Sequence, residues 1–181
     1  MTGYSAKNMA SSVFVAERKI EFTDHTDNNF APVNLADDVV DPKEDIARAS
    51  LFGLKERTAV YREGLGSVLI PEGIDYKPLG IKPKRQTTQR RLPFPYGHLD
   101  QKAKEFPNVD YDKLTMLVSK YTDAATKTRA FLIVYKDQII AETYADGFDK
   151  NSKLLGWSMT KSITGTLYGI CLLYTSPSPR D

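Results

Sequence analysis

Cysteine occurs once in the 181 residues, at Cys171, so no internal disulfide can form and no oxidising compartment is implied. The two histidines, His25 and His98, lack the spacing to acid or nucleophile that a Ser–His–acid triad would need, and both read as loop residues. Charge of one sign is also scarce. Twenty-five Lys and Arg against 23 Asp and Glu leave a net +2, too little by itself to imply a nucleic-acid or acidic-membrane partner. No apolar run approaches the roughly 20 residues that span a bilayer. Met1–Ala10 lacks the basic-then-apolar plan of a secretory signal, so a signal or membrane anchor, if the protein has one, is missing from this chain. With no glycine-rich phosphate loop and no clustered metal ligands, no cofactor is expected.

What remains is an ordinary globular balance, 41% hydrophobic and 27% charged, which argues against disorder and allows one domain or a small domain plus an extension. Ser12–Ala16 is a short apolar run that predicts a strand or buried segment. The Asp-, Asn- and Thr-rich stretch from there to Asp41 predicts a loop. Asp41-Pro42-Lys43-Glu44 has the grammar of a helix start and predicts a short helix through Ala47 and Ala49. Thr58–Tyr61 and Ser67–Ile70 flank Glu63-Gly64-Leu65-Gly66, a hairpin signal. Pro71 to Pro107 holds six prolines and predicts an extended connector, because proline supplies no backbone donor to a sheet or helix. Its basic cluster, Lys82, Lys84, Arg85, Arg90 and Arg91, is either a patch for an anionic partner or a solvated loop. Aromatic residues are not interleaved with the charges, which favours the loop, and no nucleic-acid partner is expected.

Asp110 is placed to cap an amphipathic helix whose Leu114, Leu117, Val118 and Tyr121 form one stripe facing a core. Phe131–Tyr135 and Ile139–Tyr144, around Lys136-Asp137-Gln138, give the strongest hairpin signal in the chain. A polar connector from Asp146 to Ser152 precedes a last helix beginning near Trp157. That helix runs into Cys171–Asp181, which ends in Ser-Pro-Ser-Pro without a capping glycine. We identify this tail as the conceptual translation of a transposase-type sequencing adapter, so Met1–Ile170 is the segment interpreted.

The last helix carries Ser158-Met159-Thr160-Lys161, a Ser-x-x-Lys pair on one helical face. A serine hydroxyl needs a base within hydrogen-bond reach, and a desolvated lysine can be that base. Near the helix start, unpaired backbone N–H groups can stabilise an oxyanion. Met159, Ile163, Leu167 and Ile170 gather on one side, and Ser158, Lys161, Ser162, Gly165 and Gly169 on another, which predicts a helix packed by the first face. On spacing alone the pair is no better than a surface serine and a solvated lysine, since a chain of this composition holds roughly one such match by chance.

The context adds to the spacing. Phe131 through Gly169 resembles the opening of the serine β-lactamase and penicillin-binding-protein superfamily, in which a hairpin leads into a nucleophile helix bearing Ser-x-x-Lys. Gly156–Ser162 and Ala141–Asp149 look most like the class C β-lactamase-related branch that includes the aminohexanoate-oligomer hydrolases and related esterases. Phe52–Arg57 and Tyr61–Gly66 look, more weakly, like that branch's N-terminal extension. The resemblance implies an α+β fold, an antiparallel sheet flanked by helices with the nucleophile helix buried. It implies Ser158 as acylated nucleophile, Lys161 as base and proton shuttle, and a small amide, ester or lactam as substrate. It divides the chain into an extension and connector (1–109), the start of a catalytic domain (110–170) and the adapter tail (171–181).

The family's second motif, Tyr-x-Asn, and third, Lys-Thr-Gly or His-x-Gly, would lie beyond Ile170, so the chain by itself is expected to be inactive. Tyr168 lacks an Asn at the right offset and reads as a packing residue. Family members are often exported to or anchored at the bacterial cell envelope or periplasm. Two other readings remain: a penicillin-recognising sensor that does not turn over, and a nucleic-acid binder through residues 82–91. Long-read sequencing of the source DNA across the codons for Ile170 and Cys171 is expected to show the frame continuing into more helix and the two later motifs. A genomic stop after Asp181 would remove the catalytic reading.

Overall fold

The computed structural model describes residues 1–74, 76, 83–84, 90–122 and 124–174, which form two compact units. The first unit takes in residues 1–78 and 153–181, the second residues 79–152.

In the first unit a helix, α1 (Thr2–Ala10), lies on a four-stranded antiparallel sheet. The strands β1 (Asp37–Asp41), β2 (Ile46–Leu51), β3 (Leu54–Arg62) and β4 (Gly66–Leu69) follow one another as a meander. Ala47 and Ala49 are fully buried while their neighbours Ile46, Arg48 and Ser50 are less so, the two-residue period of a strand with one covered face. Ala47 pairs with Ala59 across the ladder, and these three alanines meet Ala6, Met9 and Ala10 of α1. Small side chains on both surfaces let the helix come close. A Cβ added at Gly3 would stand 3.0 Å from a Leu69 methyl.

Three expectations are corrected here. Asp41–Glu44 starts no helix: the Asp41 Oδ1 accepts the Lys43 N–H at 2.9 Å, an Asx turn that reverses the chain between β1 and β2. Asp-Pro suits a tight turn as well as a helix start, and burial of Ala47 and Ala49 at strand spacing outweighs alanine's helix propensity. Of the two readings of Ser12–Ala16, the strand is wrong and the segment packed on the core is right. Ser11–Val15 is a π-turn that prolongs α1, setting Val13 and Phe14 against the core, with Phe14 stacked on Tyr61 at 5.8 Å. The stretch before Asp41 is not all loop, since it holds α2 (Ile20–His25), a short 3-10 turn (Val33–Leu35) and β1. The hairpin at 58–70 is present, closed by Gly66 at φ +80°.

A buried polar knot ties these parts together. Asp38 on β1 accepts hydrogen bonds from Ser5 Oγ and Asn28 Nδ2, both at 2.8 Å, and Asn28 in turn accepts from Asn8 Nδ2 at 2.7 Å. Ser5 and Asn28 are 0% and 1% exposed, so the knot has replaced water as their partner.

In the second unit α3 (Tyr111–Tyr121) begins as expected, with Asp110 accepting the Lys113 N–H at 3.0 Å. Its stripe packs less than the pattern predicts: Leu114 and Val118 are half-buried, while Leu117 and Tyr121 are exposed. Tyr121 stacks on Phe131 at 5.6 Å. The strands β5 (Ala130–Tyr135) and β6 (Gln138–Tyr144) form the expected hairpin. Its turn is two residues, Lys136 and Asp137, both at positive φ, the hand that matches strand twist. Between β4 and α3 no helix or named strand occurs among the described residues, as the prolines require. Lys82, Arg85 and Pro78 lie outside the described residues, and Lys84, Arg90 and Arg91 are exposed. No helix of the described residues is long and apolar enough to cross a membrane.

Burial raises the Asp38 carboxyl above its ordinary 3.8, against the lowering effect of the Ser5 and Asn28 hydrogen bonds and with smaller contributions from Asp24 and Asp37. Between 3.8 and the raised value the folded chain keeps a proton that the unfolded chain has released. Stability is therefore expected to fall as pH rises through that window and to level off above it. Urea unfolding followed from acid to neutral pH should show this slope in the parent and a smaller one in Asp38→Asn. Identical slopes in the two proteins would remove Asp38 as the cause.

Candidate active site

The chain reaches the candidate nucleophile through Lys153–Gly156, a 3-10 turn (Trp157–Met159) and α4 (Thr160–Tyr174). The N-terminal region holds this entry at two points. Arg18 Nη2 donates to the Lys153 carbonyl at 2.9 Å while Lys153 Nζ meets Glu17 Oε1 at 3.0 Å. Arg18 is itself fixed by Asp27 at 2.8 Å, both side chains being 8% exposed. Four residues on, the Trp157 ring lies 5.5 Å from Tyr4 and 6.4 Å from Phe30, and Tyr4 meets Phe30 edge-on at 5.6 Å. Burial, with the nearby Asp27 charge, pushes the Tyr4 hydroxyl up to about 12, so it is a neutral donor at physiological pH.

Trp157 has φ +44°, a left-handed conformation that costs a non-glycine residue about 1 kcal/mol. The aromatic contacts offset that cost, and the strained residue directly precedes Ser158. Ser158 and Lys161, singled out from their spacing, are brought together: Lys161 Nζ donates to Ser158 Oγ at 3.0 Å. The Met159 N–H is taken by the Gly156 carbonyl at 2.8 Å and the Thr160 hydroxyl by the Trp157 carbonyl at 2.6 Å. No acceptor takes the Ser158 N–H among the described residues.

The helix is not buried as expected. Both members of the pair are exposed, and no residue of α4 is buried. Met159, Ile163, Leu167 and Ile170, predicted to face a core, are 50–69% exposed. Tyr168, read as packing, is 70% exposed. The helix continues to Tyr174, so Cys171–Tyr174 add a turn to it, while residues 175–181 lie outside the described residues. His98 lies in a loop as expected, whereas His25, read as a loop residue, is the last residue of α2; both are exposed, each with Nδ1 2.7 Å from a backbone carbonyl, of Arg90 and Glu21 respectively. No group of three or more His, Cys, Asp or Glu converges among the described residues.

Trp157, Tyr4 and Phe30 were not picked out as functional from sequence. Their one signal is that the sole tryptophan of the chain immediately precedes the Ser-x-x-Lys serine. Comparison with protein-family models, with curated proteins and with solved structures gives no match.

Removing one wall of the aromatic contact tests the description directly. Phe30→Ala is expected to shift Trp157 emission to the red and to raise its quenching by iodide, as the ring loses a neighbour to water. Emission and quenching identical to the parent would mean that Phe30 does not hold the ring.

Proposed function

We propose that Ser158 is a covalent nucleophile and Lys161 its base, in a cofactor-free serine hydrolase acting on a small amide, ester or lactam. The observation that carries the reading is the 3.0 Å separation of Lys161 Nζ and Ser158 Oγ. That distance serves a proton moving in either direction. A neutral Lys161 amine takes the hydroxyl proton as Oγ bonds to the substrate carbonyl carbon. The carbonyl oxygen becomes an oxyanion, which the Ser158 N–H can receive. Lys161 then passes its proton to the leaving amine or alkoxide, whose bond to carbon breaks and leaves an acyl group on Ser158. Water later releases the acid.

The pair lies in solvent, whereas a lysine base needs an apolar cover to favour its neutral form. In the fold that the resemblance implies, a β-lactamase/transpeptidase-like sheet flanked by helices, later elements supply that cover together with the second and third motifs. The α+β class and the antiparallel sheet of this chain are compatible with such an arrangement. On this reading the chain by itself is inactive toward such substrates, and its serine is tested with a strongly reactive probe.

An alkyl fluorophosphonate, which reacts with activated serines, is the probe. Intact-mass analysis is expected to show one adduct, mapped by peptide digestion to Ser158 and absent in Ser158→Ala. Labelling of Lys161→Ala should be about 100-fold slower or more. No adduct at Ser158, or equal rates with and without Lys161, would sink the proposal.

A further inference from the structure

Tyr4, Lys7, Asn8 and Ser11 form one face of α1 and its prolongation, at i, i+3, i+4 and i+7. Across from them stand Leu155, Gly156, Trp157 and Thr160, and the two sets line an open cleft of about 320 Å³. That volume is at the small end of the range for ligand sites. Ser158 and Lys161 do not line it, so it is distinct from the proposed nucleophile.

The chemistry of its walls is one-sided. Among the described residues no acidic side chain lines the cleft. Asn8 Nδ2 is spent on Asn28 and the Thr160 hydroxyl on the Trp157 carbonyl. Lys7 is exposed and has no carboxylate partner among the described residues. The hydroxyls of Tyr4 and Ser11 likewise have no hydrogen-bond partner there. Asp27, whose charge is felt at Tyr4, does not line the cleft and is itself paired with Arg18 at 2.8 Å. The Lys7 ammonium and the hydroxyls of Tyr4 and Ser11 therefore line the same cleft as the rings of Tyr4 and Trp157, with no acceptor among the described residues.

We propose that this cleft binds a small organic carboxylate with a flat apolar body, the carboxylate on Lys7 and the hydroxyls, the body against Tyr4 and Trp157. The charge of Lys7 selects an anion, and the aromatic walls select a planar hydrocarbon group over a bare inorganic ion. Because Trp157 leads into Ser158, an occupant there bears on the strained turn before the serine. The binding claim stands whether or not Ser158 is a nucleophile.

The test uses the full chain and its single tryptophan, Trp157, as reporter. Benzoate is titrated while Trp157 emission is followed, with the isosteric neutral benzamide and the cationic benzylamine as counterparts. Saturation-transfer NMR on the ligand protons gives a second readout that does not depend on the indole. Benzoate is expected to saturate with a Kd on the order of 1 mM, as befits so small a ligand. Benzamide should bind about fivefold more weakly and benzylamine not measurably. Lys7→Met should weaken benzoate by a similar factor while Lys7→Arg retains it, and circular dichroism of both variants should match the parent, since Lys7 is exposed. Equal affinity for benzamide, an unchanged affinity in Lys7→Met, or no benzoate binding in either measurement would overturn the proposal.

Discussion

The close approach of α1 to the meander sheet is the contact on which the rest of the first unit depends. It is made by alanines: Ala6 and Ala10 on the helix, Ala47, Ala49 and Ala59 on the strands, with Met9 filling the space that small side chains leave. Each alanine buries little area, and so the gain per residue is modest. What the small residues provide is proximity. Proximity brings Ser5 and Asn8 into reach of Asn28 and Asp38, so that the buried polar knot closes. The same helix then presents Tyr4 to Phe30 and Trp157. The entry to α4 is thus held by a helix nearly the full length of the chain away in sequence.

The two units are unequal in how they are secured. The first has fully buried residues on helix and sheet, whereas the second relies on ring contacts and polar links. Gln101 shows the second style. Its side-chain carbonyl accepts from the Ile139 N–H at 2.8 Å and from Gln138 Nε2 at 2.9 Å, and its amide donates to the carbonyls of Phe94 and Asp137. One amide so used fixes the loop at 93–101 on the hairpin turn. Gly97 completes that loop, since any Cβ there would stand 2.3 Å from the Leu92 carbonyl oxygen.

Legibility from sequence followed how local each determinant is. The Asp110 cap, the helix it starts and both hairpins depend on residues within a few positions, and those readings hold. The Ser158–Lys161 contact was legible for the same reason, because a helix brings i and i+3 together whatever surrounds it. The misread elements are those decided at long range. Ala47 and Ala49 are strand residues because α1 covers them, and Ser11–Val15 turns helically because the core accepts Val13 and Phe14 that way. No residue of α1 lies within ten positions of Ala47 or Ala49, and the strands that complete the core under Val13 and Phe14 follow more than thirty residues later. The aromatic contact on Trp157 was invisible on the same account, as it joins residues 4, 30 and 157. The exposure of Met159, Ile163, Leu167 and Ile170 is a further lesson. An apolar stripe states which face a helix can bury, and the neighbours decide whether it does.

The first unit is discontinuous, with residues 79–152 intervening between its two parts. During synthesis α1 and the meander have all their strands once Leu69 has left the ribosome, and a ribosome adding about 5–20 residues per second needs several seconds more to deliver Trp157. Over that interval the faces of Tyr4 and Phe30 are open to whatever else is nearby. Folding of this protein is thus a matter of timing as well as of contacts. Its N-terminal helix must keep a place free for a partner the chain has not yet made.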